Sequence, residues 1–254
     1  PSKKIRIGYY SADFRNHPIS YILSQVFELH DKSKFEFIAF SFGPEKKDEM
    51  YNRIFSTFNK FINVRFKSNE EIVKLSRELK IDIAVDLMGF TEYNRFEIFS
   101  YRCAPIQVSY LGYPGTLGTK CIDYLIADKI LIPKNQQKYY SEKIIYLPNS
   151  YQPNVKNTKI SNKKFSKKEL NLPKNKFVFC CFNQHQKIIP DVFNIWMNIL
   201  KKNPESVLWL LEDNVFSNKN LILEASRRKV DPKRIIFAKR VPLEDIDIER
   251  SIPD

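Results

Sequence analysis

The sequence is poor in the residues that mark several classes of protein. Only four of its 254 residues are cysteine, and they form neither a Cys-x-x-Cys pair nor a Cys/His set at zinc-ligand spacing. This pattern excludes a disulfide framework and a structural zinc site. No apolar run approaches the roughly 18 residues that a membrane-spanning helix needs. The first residues match neither a signal peptide nor a transit peptide, and free thiols without such a leader predict a cytoplasmic protein.

Acidic residues are fewer than basic ones. The chain has 42 Lys and Arg against 29 Asp and Glu, which gives a formal net charge of +13. Such a charge favours phosphate binding, but eight of the lysines lie in residues 156–176, and no stretch interleaves aromatic residues with arginine as single-strand binding platforms do. We therefore expect a solvated basic surface and no nucleic-acid partner. An acidic small molecule such as a nucleoside diphosphate stays open as a partner.

Hydrophobic periodicity indicates an α/β fold. Short apolar, β-branched runs alternate with segments of helical period, and the first helix is expected to open at Asn16 as its N-cap, with Pro18 in its first turn. A first α/β domain is predicted over 1–150. Residues 151–175, rich in Lys, Asn, Ser and Pro, are predicted to be a linker. A βαβαβ pattern then covers 176–254, which is half of a doubly wound mononucleotide-binding domain.

The individual elements follow from the same periodicity. Strands are predicted at 5–10, 35–40, 81–86, 105–111, 124–127, 177–182, 207–211 and 234–237, and helices from residue 16, near 46–58, and at 69–79, 190–201 and 218–229. Open α/β sheets bind their ligands outside the carboxyl ends of the strands. The loops that follow strands are therefore the places to look for chemistry.

The first such loop follows the first strand. It contains Asp13 and His17, which precede a helix N-terminus. A carboxylate and an imidazole at that edge could orient hydroxyl groups or move a proton. A plainer interpretation fits as well, in which Asp13 and Asn16 cap the helix and His17 packs.

A second loop, residues 111–119, contains three of the six glycines of the chain. Glycine lets a backbone approach a ligand closely because no side chain intervenes. The loop has neither a Walker-type lysine nor the Gly-x-Gly-x-x-Gly pattern, so a structural turn is an equal alternative.

A third loop contains Gln184 and Lys187, directly after a strand and directly before a helix. An ammonium group and a helix N-terminus together suit phosphate oxygens and would stabilise the charge on a departing nucleotide. The alternative is that Lys187 is one of many surface lysines.

Short motifs occur through the chain in a specific order. They are Ile7-Gly-Tyr9, Ser11-Ala-Asp-Phe-Arg-Asn-His-Pro18, Ala104-Pro-Ile-Gln107, Leu111-Gly-Tyr-Pro-Gly-Thr116, Asp123-Tyr124, Tyr140-Ser-Glu-Lys143, Phe182-Asn-Gln184, Lys187 and Ser206-Val-Leu-Trp-Leu-Leu211. Through about residue 245 this order and spacing resemble the nucleocytoplasmic O-GlcNAc transferases and their bacterial relatives, including the SPINDLY-type enzymes. The resemblance implies a GT-B-type fold of two facing Rossmann-like domains, the first complete and the second partial. It also implies inverting transfer of GlcNAc from UDP-GlcNAc to protein Ser or Thr.

The resemblance implies roles for single residues as well. Asp13, His17 and Lys187 match catalytic positions, with Lys187 on the UDP diphosphate. Substrate binding is implied for Pro18, Tyr21, Arg95, Leu111, Gly112, Pro114 and Gln184. Tyr21 stands where the family has a second histidine, so acceptor contacts there are in question. Neither a metal ion nor another cofactor is implied, and the partners would be a UDP-sugar and a protein or peptide acceptor.

The resemblance ends near the C-terminus of the chain. Ile246 replaces a histidine typical of the family, and the family's phosphate turn and ribose-binding aspartate do not follow. We therefore expect a truncated catalytic region that is inactive alone, with tetratricopeptide repeats upstream in the full-length protein. Two other functions stay open: a protein N-glucosyltransferase that uses UDP-glucose, and a non-catalytic basic binding module.

Overall fold

The computed structural model describes residues 4–155 and 165–239 of the chain. The chain divides into two compact units, residues 1–157 and residues 158–254. Residues 156–164 of the predicted linker, and the C-terminal segment in which the resemblance ends, lie outside the described residues. Among the described helices, none is both long enough and apolar enough to cross a bilayer.

The first unit is built on a parallel sheet of seven strands. The strands are β1 (Ile5–Ser11), β2 (Phe35–Ser41), β3 (Lys60–Asn63), β4 (Ile83–Asp86), β5 (Ile106–Ser109), β6 (Tyr124–Ala127) and β7 (Lys143–Tyr146). Their order across the sheet is β3-β2-β1-β4-β5-β6-β7, with parallel pairing throughout. The order runs backwards from β3 to β1 and forwards from β4, so the topological switch point lies between β1 and β4.

Helices and loops cover both faces of this sheet. The helices are α1 (Pro18–Glu28), α2 (Glu49–Phe55), α3 (Asn69–Glu78) and α4 (Glu97–Ser100). One buried cluster includes Tyr10 and Phe40, whose rings stack with centroids 4.4 Å apart. The other cluster includes Tyr9 and Phe27 on the opposite face. Successive residues of β1 thus point into two separate cores, which fixes the register of the central strand.

The second unit has a parallel sheet of three strands in the described residues. Its elements are β8 (Phe177–Cys181), α5 (Pro190–Lys202), β9 (Ser206–Leu211), α6 (Val215–Arg227) and β10 (Ile235–Ala238), with strand order β10-β9-β8. Phe193, Met197 and Leu200 lie on one face of α5, at helical spacing, and pack against β9. Leu172 packs on Trp209 from the end of the predicted linker.

The two parallel sheets confirm the α/β fold class that is expected from the sequence. The periodicity did not predict β3, β7 or α4, each four residues long, and the two strands contain half-buried and exposed residues but no fully buried one. Helix α6 begins three residues earlier than expected, since the side chain of Asn214 caps it by accepting from the Ser217 N–H at 2.9 Å.

A buried carboxylate shapes the turn after β4. Asp86 is 2% exposed, and its two oxygens accept from the Met88 N–H at 2.9 Å and the Gly89 N–H at 3.0 Å. Burial raises the pKa of Asp86 from its ordinary 3.8 to about 6, although the two N–H donors oppose the shift. The turn after β4 therefore depends on an ionised group in an unfavourable environment.

This environment gives a pH dependence that we expect to measure. Because the folded-state pKa of Asp86 exceeds the unfolded value, the folded state binds more protons between about pH 4 and pH 6, and its stability falls as pH rises through that window. Asp86→Asn removes the titration. The unfolding free energy of the wild type minus that of Asp86→Asn should be about 2 kcal/mol larger at about pH 4.5 than at about pH 7.5. Denaturant titrations at both pH values measure it, and a pH-independent difference would contradict the assigned pKa.

Candidate active site

Three loops of the first unit meet at the carboxyl ends of β1, β4 and β5. Tyr10 of β1 pairs with Asp86 of β4, which pairs with Ser109 of β5, so the residues after these strands emerge side by side. Met88 connects the loops after β1 and β4, because its sulfur accepts from the Ala12 N–H at 3.3 Å. The candidate site thus lies at the switch point of the sheet, where parallel α/β folds bind ligands.

Asp13 and His17 form a side-chain pair in the first loop. Asp13 Oδ2 lies 3.4 Å from His17 Nδ1, and Asp13 Oδ1 accepts from Arg15 Nη2 at 3.2 Å. The Asp13 backbone is held as well, since its N–H donates to Ser11 Oγ at 2.9 Å and its carbonyl accepts from the Ser20 hydroxyl. These bonds hold the carboxylate beside the imidazole.

The N-cap of α1 is His17, and the prediction of Asn16 was wrong. His17 has extended backbone angles, and its Nδ1 accepts from the Ile19 N–H at 3.3 Å, with Pro18 at the first helical position. Asn16 serves another helix: its Oδ1 accepts from the Met50 N–H at 3.3 Å, while its own N–H donates to Asp48 Oδ2 at 2.8 Å. The sequence shows a good cap residue at Asn16 but not the long-range contact that occupies it.

Two uses of His17 Nδ1 compete. When Nδ1 accepts from the Ile19 N–H, the neutral imidazole carries its proton on Nε2. When Nδ1 carries the proton, it can donate towards Asp13 Oδ2, and Nε2 becomes free to accept a proton. Only the second tautomer makes His17 a proton acceptor at Nε2, and Asp13 is the group that favours it.

Burial shifts the pKa values of this pair in opposite directions. It lowers the pKa of His17, an effect that the Asp13 carboxylate opposes and the Arg15 cation reinforces. It raises the pKa of Asp13, while His17 and Arg15 pull that value down. Because its pKa lies below the ordinary 6.5, His17 is neutral at neutral pH and able to take a proton.

The glycine loop, residues 111–119, begins with a strained turn. Leu111 has a φ of 66°, and the Gly112 N–H donates to the Tyr110 carbonyl at 2.9 Å, which is a γ-turn of the rare positive-φ kind. A Cβ on Gly112 would lie 2.0 Å from the Leu87 carbonyl oxygen. Glycine is therefore required at this position, and the strained backbone lies beside the candidate site, as strained residues tend to do.

A small cavity joins two of the three sequence-predicted loops. Its volume is about 160 Å³, and its walls come from the loops after β1, β4 and β5. It is lined by Asp13, Arg15, His17, Ile19, Thr91, Glu92, Tyr93 and Gly112. The structure thus brings Asp13, His17 and Gly112 together, although they are separated by up to 99 residues in the chain.

The loop after β4 belongs to the site, although the sequence did not predict it there. Thr91, Glu92 and Tyr93 line the cavity, and Glu92 also raises the pKa of Asp13. The signal was present, since Met88 and Gly89 mark a turn after a buried strand, and parallel strands end at the same edge.

The remaining predicted residues of the first unit do not line this cavity. Pro18 and Pro114 are exposed, while Tyr21 is half-buried against the core beside α1. Arg95 donates from Nε to Asn69 Oδ1 at 2.7 Å and from Nη2 to the Lys67 carbonyl at 2.8 Å. The guanidinium of Arg95 therefore connects the loop between β3 and α3 to the start of α3.

In the second unit, Gln184 and Lys187 are both exposed in a short 3-10 turn between β8 and α5. Gln184 Oε1 accepts from Gln186 Nε2 at 2.9 Å. Helix α5 begins at Pro190 with no side chain capping it, so its first N–H groups have no side-chain acceptor. This arrangement can receive an anion.

His185, for which the sequence predicts no role, holds that turn in place. It is 9% exposed, and its Nε2 donates to the Leu211 carbonyl at 2.7 Å while Nδ1 lies 2.8 Å from Ser217 Oγ. The imidazole thus connects the turn to the end of β9 and the start of α6. Within residues 4–155 and 165–239, no cluster of three or more His, Cys, Asp or Glu side chains could hold a metal ion.

The amino-acid sequence is similar to those of curated proteins. A probable UDP-N-acetylglucosamine–peptide N-acetylglucosaminyltransferase SEC of Arabidopsis thaliana is 38% identical over 98% of this chain and 26% of its own length. A probable enzyme of the same name, SPINDLY, from Solanum lycopersicum is 31% identical over 82% of this chain and 22% of its own length. The chain thus spans about a quarter of the length of these relatives.

Comparison with solved structures agrees. A mutant O-GlcNAc transferase of Thermobaculum terrenum matches with a TM-score of 0.84 and 28% identity, over 96% of this chain and 46% of that one. A putative UDP-N-acetylglucosamine 2-epimerase of Listeria monocytogenes shares the fold alone, with a TM-score of 0.52 and 11% identity over 97% of this chain and 72% of that one. The expected GT-B type of fold is thereby confirmed. Glycosyl transferase family 41 matches residues 1–159 and 154–250, so the chain belongs to that family.

Proposed function

We propose that the protein transfers GlcNAc from UDP-GlcNAc to Ser or Thr hydroxyl groups of proteins, with inversion at the sugar. The names of the relatives state a peptide N-acetylglucosaminyltransferase activity for those proteins. The observation that carries the proposal is the cavity at the switch point, which combines Asp13, His17 and the backbone of Gly112. A neutral imidazole beside a carboxylate suits the removal of a proton from an acceptor hydroxyl.

In the proposed reaction one proton is transferred, one bond forms and one bond breaks. His17 Nε2 accepts the hydroxyl proton, while the oxygen forms a bond to the anomeric carbon of the sugar. The bond from that carbon to the diphosphate oxygen breaks, and UDP leaves with the electron pair. Asp13, at 3.4 Å from His17 Nδ1, favours the tautomer that leaves Nε2 free and stabilises the imidazolium that forms. The Gly112 turn lines the sugar, and it can take this position because the absence of a side chain lets it pack against the Leu87 carbonyl.

Lys187 acts on the leaving group. Negative charge grows on the departing nucleotide, so a cation and the uncapped N-terminus of α5 stabilise the transition state more than the ground state. Gln184 contributes hydrogen bonds to the nucleotide in the same proposal. This distribution of charge needs neither a metal ion nor another cofactor.

We also propose the compartment in which the protein works and the class of its acceptor. All four cysteines, Cys103, Cys121, Cys180 and Cys181, are free thiols, which supports work in a reducing compartment such as the cytoplasm. The acceptor is a protein or peptide, selected by the tetratricopeptide repeats that the family resemblance implies.

The test is a transfer assay with the whole gene product. Radiolabelled UDP-GlcNAc and UDP-glucose are offered separately to one peptide with Ser and Thr and to a matched peptide with Asn as its sole acceptor. We expect GlcNAc on the Ser/Thr peptide, released by β-elimination. Glucose on the Asn peptide would replace the proposal with an N-glucosyltransferase, and no transfer from either donor would overturn it.

His17→Asn separates the proton acceptor from the helix cap. Asparagine is a preferred N-cap residue, so α1 keeps its cap and the unfolding free energy should change by less than about 0.5 kcal/mol. The asparagine side chain cannot accept a proton as a base, so kcat should fall by at least about 100-fold. In the wild type, the acidic limb of the kcat/KM profile should lie below about pH 6.5, because burial lowers the pKa of His17. A His17→Asn enzyme that keeps more than a tenth of its activity would exclude His17 as the base.

Lys187→Ala tests the leaving-group cation. We expect kcat to fall by more than about tenfold with unchanged folding, since an interaction made in the transition state is lost. Lys201→Ala is the matched control, because Lys201 is an exposed lysine in the last turn of α5. Equal rates for the two variants, measured with saturating donor and acceptor, would remove Lys187 from the mechanism.

A further inference from the structure

The glycine loop contains no helix or strand, yet it places Gly112 at the cavity, while the preceding Leu111 is buried in the core. Its first part is fixed by close approach, because Gly112 lies against the Leu87 carbonyl and Tyr113 lies against Gly89. In its second part Pro114 and Gly118 are exposed, whereas the Leu117 side chain is buried in the core. Leu117 fixes one point of this far end of the loop, and the backbone around it still needs hydrogen-bond partners because the loop has no secondary structure.

Glu142 holds that far end. It lies directly before β7, is 2% exposed, and directs both carboxylate oxygens at the loop. Glu142 Oε1 accepts from the Leu117 N–H at 2.7 Å, and Oε2 accepts from the Thr116 hydroxyl at 2.7 Å. Each of the two carboxylate oxygens of Glu142 therefore accepts a hydrogen bond from the loop. Short bonds to an ionised oxygen are the stronger kind of hydrogen bond.

The Thr116 hydroxyl closes the network. It donates to Glu142 and accepts from the Gly118 N–H at 3.1 Å and the Ser141 N–H at 3.3 Å. One hydroxyl thus connects the loop to itself and to the segment before β7. Both N–H groups can only donate, so the hydroxyl proton points to one of two acceptors, Glu142 Oε2 at 2.7 Å or Ser141 Oγ at 3.2 Å. Replacing Glu142 by glutamine leaves one acceptor oxygen for the two donors, so at least one of the two bonds is lost or reversed.

We propose that Glu142 is a positioning residue for the sugar-binding backbone of the glycine loop. The inference rests on the proposed function, because it assigns the sugar to the Leu111–Gly112 turn. The distance along the chain from Gly112 to Thr116 is four residues, so release of Thr116 frees the backbone that follows the strained turn. Glu142 touches neither the cavity nor the pair of Asp13 and His17, and it acts through the loop alone.

A positioning role and a purely structural role predict different kinetics. Glu142→Gln in the whole gene product should raise KM for UDP-GlcNAc by about tenfold with kcat reduced less than threefold, because ground-state and transition-state binding of the sugar weaken together. Thr116→Val, which removes only the hydroxyl, should do the same, and Thr116→Ser should restore the wild-type KM. Glu78→Gln is the matched control, since Glu78 is an exposed carboxylate on α3.

A measurement without turnover completes the test. Hydrogen exchange followed by mass spectrometry should show faster exchange in residues 110–119 of Glu142→Gln and unchanged exchange in β1 and β4. If Glu142→Gln leaves KM unchanged, or leaves exchange in residues 110–119 as slow as in the wild type, the inference is overturned. The wild-type transfer assay would still support the proposed function. Global unfolding of both Glu142→Gln and Thr116→Val would also overturn it, since the bonds would then support the fold and not the loop. A wild type with no transfer would instead defeat the proposed function.

Discussion

The parallel pairing of β1 with both β2 and β4 is the constraint on which the first unit depends. It places Tyr10 opposite Asp86 and reverses the strand order at that point, so two loops leave the sheet side by side in opposite directions. The register cannot slip by one residue, because Tyr9 and Tyr10 point into different cores. The cavity of the candidate site exists because these loops diverge there.

At this edge of the sheet, burial affects the pKa values of Asp13 and His17 more than their mutual attraction does. Burial lowers the pKa of His17 and raises that of Asp13, and their mutual attraction opposes both shifts. The Asp86 carboxylate and the Glu142 carboxylate each accept two hydrogen bonds from a neighbouring loop. Buried carboxylates thus act twice as anchors for the loops around the site, where the hydrogen bonds compensate for the loss of water.

Local pattern predicted the strands that contain buried apolar residues, including the four-residue strand β6, and missed two strands without a buried residue. Helix α5 was expected at 190–201 and runs over Pro190–Lys202, since its apolar residues repeat at helical spacing and a proline stands at its start. Strands β3 and β7 were missed: both are four residues long, and neither contains a fully buried residue. Asn16 was expected as a cap and instead bonds to the start of α2, a contact 34 residues away in the chain. For the candidate site, Asp13, His17 and Gly112 were found from loop position and family motifs, whereas Glu92 was not.

The sequence by itself determined the α/β class, the two α/β segments and the family, because the hydrophobic period and the motif order are written in consecutive residues. Only the tertiary structure decided that Asp13 lies beside His17 Nδ1, that Arg95 is committed to the start of α3, and that Glu142 holds the glycine loop. The Arg95 and Glu142 contacts join atoms on separate segments, whereas the Asp13–His17 contact depends on how one loop folds. Contacts between separate segments follow from strand order and register, which no local pattern encodes.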